Sequence, residues 1–206
     1  MRIVVLGGSG RAGREIVAEA LRRGHEVTAV SRGGDAVGAA RGVALDAGDT
    51  AALQAQLTEA EPGAVVSALA PSRDASFAEL LAGAIDAAAA AGVSRVVVIG
   101  GAGSSLRADG ARVLDSIPEE WRWIPLAHAE ALDRLRELTA EVDWVSISPA
   151  ERLADGPRTG AYRRGADELV VAADGSSHIS FADLAIAALD EVESPRVHRG
   201  RMTVGD

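Results

Sequence analysis

A glycine-rich turn near the N-terminus constrains this 206-residue chain more than any other feature of its sequence. Its glycines have the spacing Gly7-x-x-Gly10-x-x-Gly13, and they lie between an apolar run at residues 3–6 and a helical pattern at residues 11–23. A strand, a glycine turn and a helix in this order are typical of dinucleotide-binding folds, because the bare backbone lets a pyrophosphate reach the helix N-terminus. The alternative is that these glycines only let the helix pack closely on the strand.

Strand and helix patterns alternate along the rest of the chain. The predicted strands are residues 3–6, 27–30, 43–45, 64–67, 95–99 and 144–147, with short strands at 159–162 and 169–171 and a final edge strand at 201–204. The predicted helices are residues 11–23, 49–60, 74–91, 108–116, 127–140 and 180–192. This alternation is the pattern of a parallel sheet whose strands are joined by helical crossovers.

The fold class follows from that alternation. We predict an α/β fold with a Rossmann-like, doubly wound, mostly parallel sheet, helices on both faces, strand 1 near the centre and a small C-terminal substrate-side extension. No linker or repeat divides the chain, so the prediction is a single NAD(P)-binding Rossmann domain over residues 1–206. Its substrate-side elements are expected mainly in residues 101–127 and 150–180.

The composition excludes several kinds of chemistry. The chain has no cysteine, and all 21 of its lysine-or-arginine residues are arginine. Thiolate nucleophiles, Schiff-base lysines and a Walker-type phosphate lysine are therefore excluded. His25, His178 and His198 lack the spacing, relative to nearby carboxylates, of a closed metal site, so we predict no metal.

Charge and hydropathy also limit the partners. A net charge of −9 and an aromatic content of 3% argue against a nucleic-acid partner, which requires a basic face or stacking side chains. The N-terminal segment lacks the pattern of a signal peptide, and the alanine-rich run at residues 82–91 is too short to span a bilayer. We therefore predict a cytoplasmic protein with no membrane partner, and the oligomeric state stays open between monomer and homodimer.

The end of the second predicted strand indicates which dinucleotide binds. NAD sites of this type place an acidic residue there for the ribose hydroxyls, whereas this chain has Ser31 and Arg32. A guanidinium can donate two hydrogen bonds to a 2′-phosphate, so the sequence favours NADP(H) over NAD(H). The alternative is that Arg32 is a solvated surface arginine. Asp46, after the third strand, is consistent with an adenine contact or with a turn residue.

Several segments together resemble one family. They are MRIVVLGGSGRAGREIV, VSR, LD, VVSALAP, VVVIGGAGS, SPAERL, RTGAY and SHISFADLAIAALDEV, and they cover nearly the whole chain. These segments resemble the atypical short-chain dehydrogenase/reductases, in the NAD(P)H-binding group with the biliverdin reductase B/flavin reductase-like and NmrA-like proteins. The resemblance implies NADPH-dependent reduction of a flavin, quinone or similar conjugated acceptor in some members, and cofactor sensing without turnover in others.

The resemblance also implies roles for residues at the strand ends. The implied pyrophosphate contacts are Gly7, Ser9, Gly10, Arg11, Ala12 and Gly13. The implied contacts to the 2′-phosphate and adenine are Ser31, Arg32 and Asp46. The implied contacts to the ribose and the nicotinamide are Ala68, Leu69, Ala70, Gly100, Gly101, Pro149 and Ala150. Glu151 and Arg152 follow as the border of the substrate pocket.

One departure from the family matters for the chemistry. Standard short-chain dehydrogenases use a Tyr-x-x-x-Lys pair, but this chain has no lysine, and its only tyrosine, Tyr162, lies well past the expected helix. That helix carries His128 instead, with Leu132 four residues further on. The standard alcohol dehydrogenation mechanism is therefore disfavoured. Reduction of a flavin or quinone needs no such pair, because water can protonate the reduced product.

Three residues are candidate catalytic groups. Ser104 and Ser105 follow the fifth strand, where a hydroxyl can donate to a carbonyl that gains charge during hydride addition, or can simply begin a helix or turn. His128 is a candidate proton donor near neutral pH, or a partly buried helix residue with no chemical role.

Three further residues are candidate substrate contacts. Arg152 is suited to an acidic or phosphorylated substrate such as FMN, and Glu151 lies beside it, so the alternative is an internal ion pair. Tyr162 is either a substrate contact or a hydroxyl that fixes the loop after the sixth strand. The sequence thus predicts an NADPH-dependent reductase of a conjugated acceptor, with an NADP(H)-sensing regulatory protein as the second hypothesis and an epimerase-like enzyme as the third.

Overall fold

The computed structural model describes residues 1–206 and contains ten strands and five α-helices. The strands are β1 (Arg2–Leu6), β2 (Glu26–Ser31), β3 (Arg41–Ala44), β4 (Ala64–Ser67), β5 (Arg95–Ile99), β6 (Asp143–Pro149), β7 (Arg152–Ala154), β8 (Arg163–Gly165), β9 (His178–Ser180) and β10 (Gly200–Gly205). The helices are α1 (Arg11–Arg22), α2 (Thr50–Ala60), α3 (Phe77–Ala90), α4 (Trp123–Arg136) and α5 (Phe181–Glu193).

Eight strands form one sheet in the order β3-β2-β1-β4-β5-β6-β10-β8, and β7 pairs with β9 in a separate parallel ribbon. Within the large sheet only β8 is antiparallel to its neighbour. The predicted Rossmann-like, doubly wound fold is therefore confirmed, with β1 between β2 and β4. The chain reverses its direction of winding between β1 and β4, and ligands of such sheets bind outside the carboxyl ends of the strands at this point.

Both faces of the sheet are covered, which explains the continuous apolar runs of the strands. Ile3 and Val5 face α1 and α5 in one core cluster, whereas Val4 and Leu6 face α2, α3 and α4 in the other. All four side chains are at most 1% exposed. Because both faces of β1 are buried, the strand is fixed in the core, and the glycine turn that follows it starts from a fixed position.

The predicted helix over residues 108–116 is wrong. Leu106 pairs with Arg112 in an isolated bridge, and Gly110 between them has a φ of +84°, so the chain makes a tight reversal there. Only the 3₁₀ turn Val113–Ser116 remains helical. Helix α4 also begins four residues before its predicted start, because Pro125 fits the first helical turn, where no backbone N–H is required.

The predicted strands at residues 159–162 and 169–171 are wrong as well. The Asp183 carboxylate accepts hydrogen bonds from the backbone N–H groups of Thr159 and Gly160, so a side chain replaces the neighbouring strand. Gly160 has a φ of +77°, which breaks the extended conformation. The final strand, β10, pairs with β6 on one side and β8 on the other, so it is an interior strand and not the predicted edge.

None of the five α-helices combines the length and the apolar character that a membrane crossing requires. No group of three or more histidine, aspartate and glutamate side chains is arranged to hold a metal ion.

Candidate cofactor and substrate site

The glycine turn between β1 and α1 has a backbone that only glycine allows. Gly7 has a φ of +75°, and a Cβ at this position would lie 2.6 Å from the carbonyl oxygen of Ala68. A Cβ on Gly13 would lie 2.1 Å from the carbonyl oxygen of Gly7. The backbone N–H groups of Gly7 and Gly8 donate to the carbonyl of Val30 at 2.9 and 3.1 Å, which ties the turn to β2.

The first turn of α1 suits an anion. Gly10 caps the helix without a side-chain hydrogen bond, and no acidic residue lies in the first turn. The N-terminal N–H groups and the positive end of the helix dipole are therefore not neutralised by the chain itself. Together with the closely packed glycines, this arrangement fits the pyrophosphate of a dinucleotide.

A cavity of about 690 Å³ opens beside this turn, at the carboxyl ends of β1 to β4. Nine residues predicted for cofactor binding line it: Gly7, Ser9, Gly10, Ser31, Arg32, Asp46, Ala68, Leu69 and Ala70. Sequence reasoning missed the other lining residues: Val30, Gly33, Leu45, Ala47, Gly48, Ser72, Asp74, Ala75 and Leu80. Leu45 and Leu80 supply apolar walls, and the position of Leu45 directly after β3 was the one signal that could have identified it.

Arg32 lies at the mouth of the cavity with an exposed side chain that pairs with no carboxylate. The loop that carries it turns back onto β3. The Ser31 hydroxyl accepts a hydrogen bond from the Gly34 N–H at 3.1 Å, and a Cβ on Gly34 (φ of +72°) would lie 2.7 Å from the Cβ of Ala44. The Ser31 hydroxyl proton stays available to a ligand, as does the guanidinium of Arg32.

Asp46 has the turn role that the sequence left open. Its Oδ1 accepts a hydrogen bond from the Gly48 N–H at 2.9 Å, which fixes the loop between β3 and α2. The same side chain lines the cavity, so the turn role does not exclude an adenine contact.

The other residues predicted for the cofactor lie outside the cavity lining. Arg11 places its guanidinium over the Phe181 ring at 4.8 Å, at the start of α5. Ala12 and Gly13 belong to the first turn of α1. Gly100, Gly101, Pro149 and Ala150 lie at the carboxyl ends of β5 and β6, further along the same edge of the sheet.

The His128 imidazole lies over the end of β5. A Cβ on Gly101 would be 2.9 Å from His128 Cγ, so the imidazole fills the space that a side chain at position 101 would take. Its ring meets Phe77 edge to face, with ring centres 4.9 Å apart. Nδ1 is buried without a partner, and burial lowers the pKa of His128 to about 4. The imidazole is therefore neutral near pH 7.

The two candidate serines differ in their surroundings. The hydroxyl of Ser104, a half-buried residue, accepts a hydrogen bond from Nη1 of Arg201 at 2.9 Å. Ser105 is fully buried, and its hydroxyl has no partner. Of the two, only Ser104 is accessible to a ligand.

Glu151 and Arg152 do not pair with each other. Glu151 accepts two hydrogen bonds from Arg107, at 2.5 and 3.2 Å, and Arg107 also donates to the Ser116 hydroxyl. This pair joins the end of β6 to the reversal at residues 106–112. Arg152 is exposed in β7, and its guanidinium has no protein partner. The Glu151–Arg152 ion pair that the sequence left open is therefore wrong, and Glu151 pairs with Arg107 instead.

Tyr162 lies on the opposite face of the sheet from His128. Its hydroxyl donates to Asp190 of α5 at 2.7 Å, and burial together with that carboxylate raises its pKa. Asp190 also accepts a hydrogen bond from Arg23 of α1. These contacts favour the alternative in which Tyr162 fixes the loop after β7 against α1 and α5.

Comparison with known proteins identifies the family of this chain. The NAD(P)H-binding family profile matches residues 7–195, and the chain belongs to that family. The uncharacterized protein YwnB of Bacillus subtilis (strain 168) is 38% identical over 99% of this chain and 98% of its own length.

Two solved structures are similar over almost their full lengths. SP1627 of Streptococcus pneumoniae TIGR4, named as a candidate NADH-flavin reductase, is 31% identical with a TM-score of 0.83, over 100% of this chain and 99% of that one. A protein of Bacteroides thetaiotaomicron, named as a candidate epimerase, is 37% identical with a TM-score of 0.88, over 99% of this chain and 96% of that one. The chain is therefore an NAD(P)H-binding protein that shares its whole fold with both of these proteins.

Proposed function

We propose that this protein is an NADPH-dependent reductase of a flavin, quinone or similar conjugated acceptor. The observation that carries the proposal is the cavity that joins the glycine turn to the unpaired Arg32. The similarity to SP1627, at 31% identity, supports a flavin-type acceptor. The candidate epimerase from Bacteroides thetaiotaomicron supports the third hypothesis, but this chain lacks the Tyr-x-x-x-Lys pair.

The preference for NADP(H) over NAD(H) rests on the charges at the cavity mouth. Arg32 and Ser31 offer a guanidinium and a hydroxyl at the end of β2, where an NAD site would have an acidic side chain. An unpaired guanidinium gains more from a phosphate than one already engaged by a carboxylate, because no ion pair must first be broken.

The chain's own residues supply orientation and polarisation. A bound dihydronicotinamide supplies the hydride. Gly7, Gly10 and the N-terminus of α1 would hold the pyrophosphate, and residues at the carboxyl ends of β5 and β6 would hold the nicotinamide end. His128, as a neutral imidazole, is a hydrogen-bond donor or acceptor at that edge and not a cation. The free guanidinium of Arg152 suits an acceptor that carries a phosphate or a carboxylate.

A non-catalytic NADP(H) sensor is the second candidate, and one observation favours it. The cavity covers the adenosine side of the cofactor, whereas Ser104, Ser105 and His128 all lie outside its lining. A protein that only senses the cofactor needs the cavity for the adenosine side and does not need catalytic residues beside the nicotinamide.

An assay of turnover separates the two candidates. The purified protein is mixed with NADPH and, in turn, FMN, riboflavin and a set of quinones, and the loss of nicotinamide absorbance is followed. The reductase proposal expects acceptor-dependent oxidation of NADPH. Tight NADPH binding without turnover on any acceptor would replace it with the sensor.

The proposal also covers the localisation, the domain organisation and the partners of the protein. We propose a cytoplasmic protein, built as one Rossmann domain, that acts on a small molecule and has no nucleic-acid partner. The substrate-side elements are proposed to be residues 101–127 together with parts of 150–180. Residues 155–162 are the exception, because Thr159, Gly160 and Tyr162 bind side chains of α5 on the opposite face of the sheet. Sedimentation of the purified protein decides between monomer and homodimer.

A further inference from the structure

A buried arginine, Arg201, donates a hydrogen bond to Ser104. Arg201 belongs to the interior strand β10, and its side chain is only 4% exposed. Its Nη2 forms an ion pair with Asp167 and also donates to the Asp167 carbonyl at 3.1 Å, while Nη1 donates to the Ser104 hydroxyl at 2.9 Å. The Nε–H is buried and has no partner. Buried charged groups with unmet hydrogen bonds are rare and call for an explanation.

The charge of this arginine is incompletely balanced. Asp167 is its only paired carboxylate, and the Asp167 side chain is 53% exposed and also lies 3.7 Å from Arg136. A half-exposed carboxylate shared between two arginines is well solvated and weakly screens the buried guanidinium. A positive potential therefore remains on the side of Arg201 that faces Ser104.

Ser104 is held firmly at the edge of the sheet. It ends the 3₁₀ turn Ala102–Ser104, which follows β5. The turn packs on α4, since a Cβ on Gly103 would lie 2.8 Å from the carbonyl oxygen of Pro125, and Gly101 is in contact with His128. Because Ser104 accepts from Arg201, its own hydroxyl proton is free to donate, and the turn that carries it follows the carboxyl end of β5, the edge at which ligands of this fold bind.

We infer that Arg201 is a positioning residue that orients and polarises the Ser104 hydroxyl as a hydrogen-bond donor to the carbonyl oxygen of the acceptor. The inference rests on the proposed reductase function and assigns to Arg201 a part in the reduction of the flavin or quinone proposed above. During hydride transfer the acceptor gains two electrons, and negative charge develops on its oxygen or the adjacent ring nitrogen. The hydride and its electron pair would come from the bound cofactor, which is oxidised in exchange, and water would supply the proton that neutralises the reduced acceptor. Ser104 donates a hydrogen bond to the developing anion and loses no proton overall.

Arg201 also has a structural role, which the test must distinguish from its proposed effect on Ser104. It ties β10 to the segment after β8 through Asp167. Thr203 makes a comparable buried contact from the same strand, since its hydroxyl donates to the Glu168 carbonyl at 2.6 Å, and it does not contact Ser104. Thr203→Val is therefore the matched control for a loss of packing and hydrogen bonding at this strand.

The experiment is a double-mutant cycle on the full chain with NADPH and a quinone. Ser104→Ala is expected to lower kcat by about tenfold to a hundredfold, the range for loss of one donor to a developing anion. Arg201→Gln is expected to lower kcat by about tenfold, and the double variant is expected to match Ser104→Ala alone. The melting temperature and the dissociation constant of oxidised riboflavin, measured by fluorescence quenching, are followed for each variant. The riboflavin constant is expected to stay within about threefold, since the contact strengthens only as charge develops.

The outcomes distinguish the role of Arg201 from the proposed reductase function. Additive losses of kcat in the double variant, or an equal loss of kcat in Thr203→Val, overturn the role of Arg201 and leave the reductase proposal intact. Absence of turnover in the unmodified protein overturns both. If Arg201→Gln does not fold, Arg201→Lys replaces it, because one ammonium cannot engage Ser104 and Asp167 with the planar fork of a guanidinium. A loss of kcat in Arg201→Lys must then vanish in the Ser104→Ala background, and its persistence there overturns the inference.

Discussion

Arg158, in the loop after β7, donates two hydrogen bonds of 2.9 Å each to the carboxylate of Glu19 on α1. Glu19 is 1% exposed and also pairs with Arg22 and Arg23 of its own helix. A nearly buried carboxylate thus joins a loop that is distant in sequence to the helix that begins at the glycine turn. The hydrogen bonds from Arg158 and the neighbouring Arg23 lower the pKa of Glu19 to about 2 despite the opposing effect of burial.

Replacement of Glu19 is expected to destabilise the fold. Glu19→Gln removes the carboxylate that three arginines share, and the free energy of unfolding should fall by roughly 2 kcal/mol, the scale for hydrogen bonds to a charged group. The loss is limited because Arg22 and Arg158 are about half-exposed and Arg23 keeps Asp190 and Glu193. Glu61→Gln is the control, because Glu61 and Arg2 form an exposed pair, and its effect should stay below about 1 kcal/mol. Urea unfolding of both variants measures the difference, and equal effects would contradict the special role of Glu19.

The same group predicts a dependence of stability on acid. The pKa of Glu19 is lower in the folded state than in the unfolded chain, so the unfolded chain binds a proton first as the pH falls. The stabilisation is therefore complete above about pH 4.5 and is lost as the pH falls toward about 2. Urea unfolding across this range should show a smaller loss of stability in Glu19→Gln than in the unmodified protein. Parallel curves for the two proteins would show that another carboxylate is responsible.

Cofactor preference should depend on Arg32. Arg32→Glu places a carboxylate where a 2′-phosphate is proposed to bind, and we expect the NADPH/NADH affinity ratio to fall by at least about tenfold. Arg41→Glu makes the same change of net charge at the amino end of the sheet, outside the cavity, and should leave the ratio unchanged. Calorimetric titration of both variants measures the ratio. An unchanged ratio in Arg32→Glu would remove Arg32 from the phosphate site.

His128 gives a second dependence of stability on pH, in a higher pH range than that of Glu19. Its pKa in the folded state, about 4, lies below the ordinary value of 6.5 because of burial. The unfolded chain binds a proton below about pH 6.5 while the folded chain does not, so stability falls as the pH falls from about 6.5 toward 4. His128→Phe should remove this part of the loss, as read from urea unfolding at several pH values. We also expect kcat to be independent of pH between about 6 and 8, because the imidazole stays neutral throughout that range. A step in kcat near pH 6.5 that disappears in His128→Phe would show instead that His128 is protonated there.

The sequence predicted the α/β class and the place of β1 between its neighbours, because both depend on local pattern, and the cofactor contacts stay predictions. Continuous apolar strands, the glycine spacing and the identity of residues 31 and 32 are readable without knowledge of distant contacts. The substrate side was predicted poorly. The helix proposed at residues 108–116 was replaced by a tight reversal at Gly110, and Glu151 was paired with Arg107, which lies 44 positions away.

The role of Arg201 was not accessible from the sequence for the same reason. Its partner Ser104 lies 97 positions earlier, and the two meet only because β10 inserts beside β6. The interior position of β10 depends on β8, a three-residue strand with little apolar character. Such a strand carries no periodic signal, so tertiary hydrogen bonds decide its place.

The most direct test of the central claim is the affinity of the unmodified protein for the four nicotinamide dinucleotides. Titration calorimetry with NADPH, NADP⁺, NADH and NAD⁺ measures whether the cavity beside the glycine turn takes a 2′-phosphate. We predict that both phosphorylated forms bind at least about tenfold more tightly than their counterparts, the scale of one charge-assisted contact. Equal affinity, or tighter binding of NADH, would contradict the account.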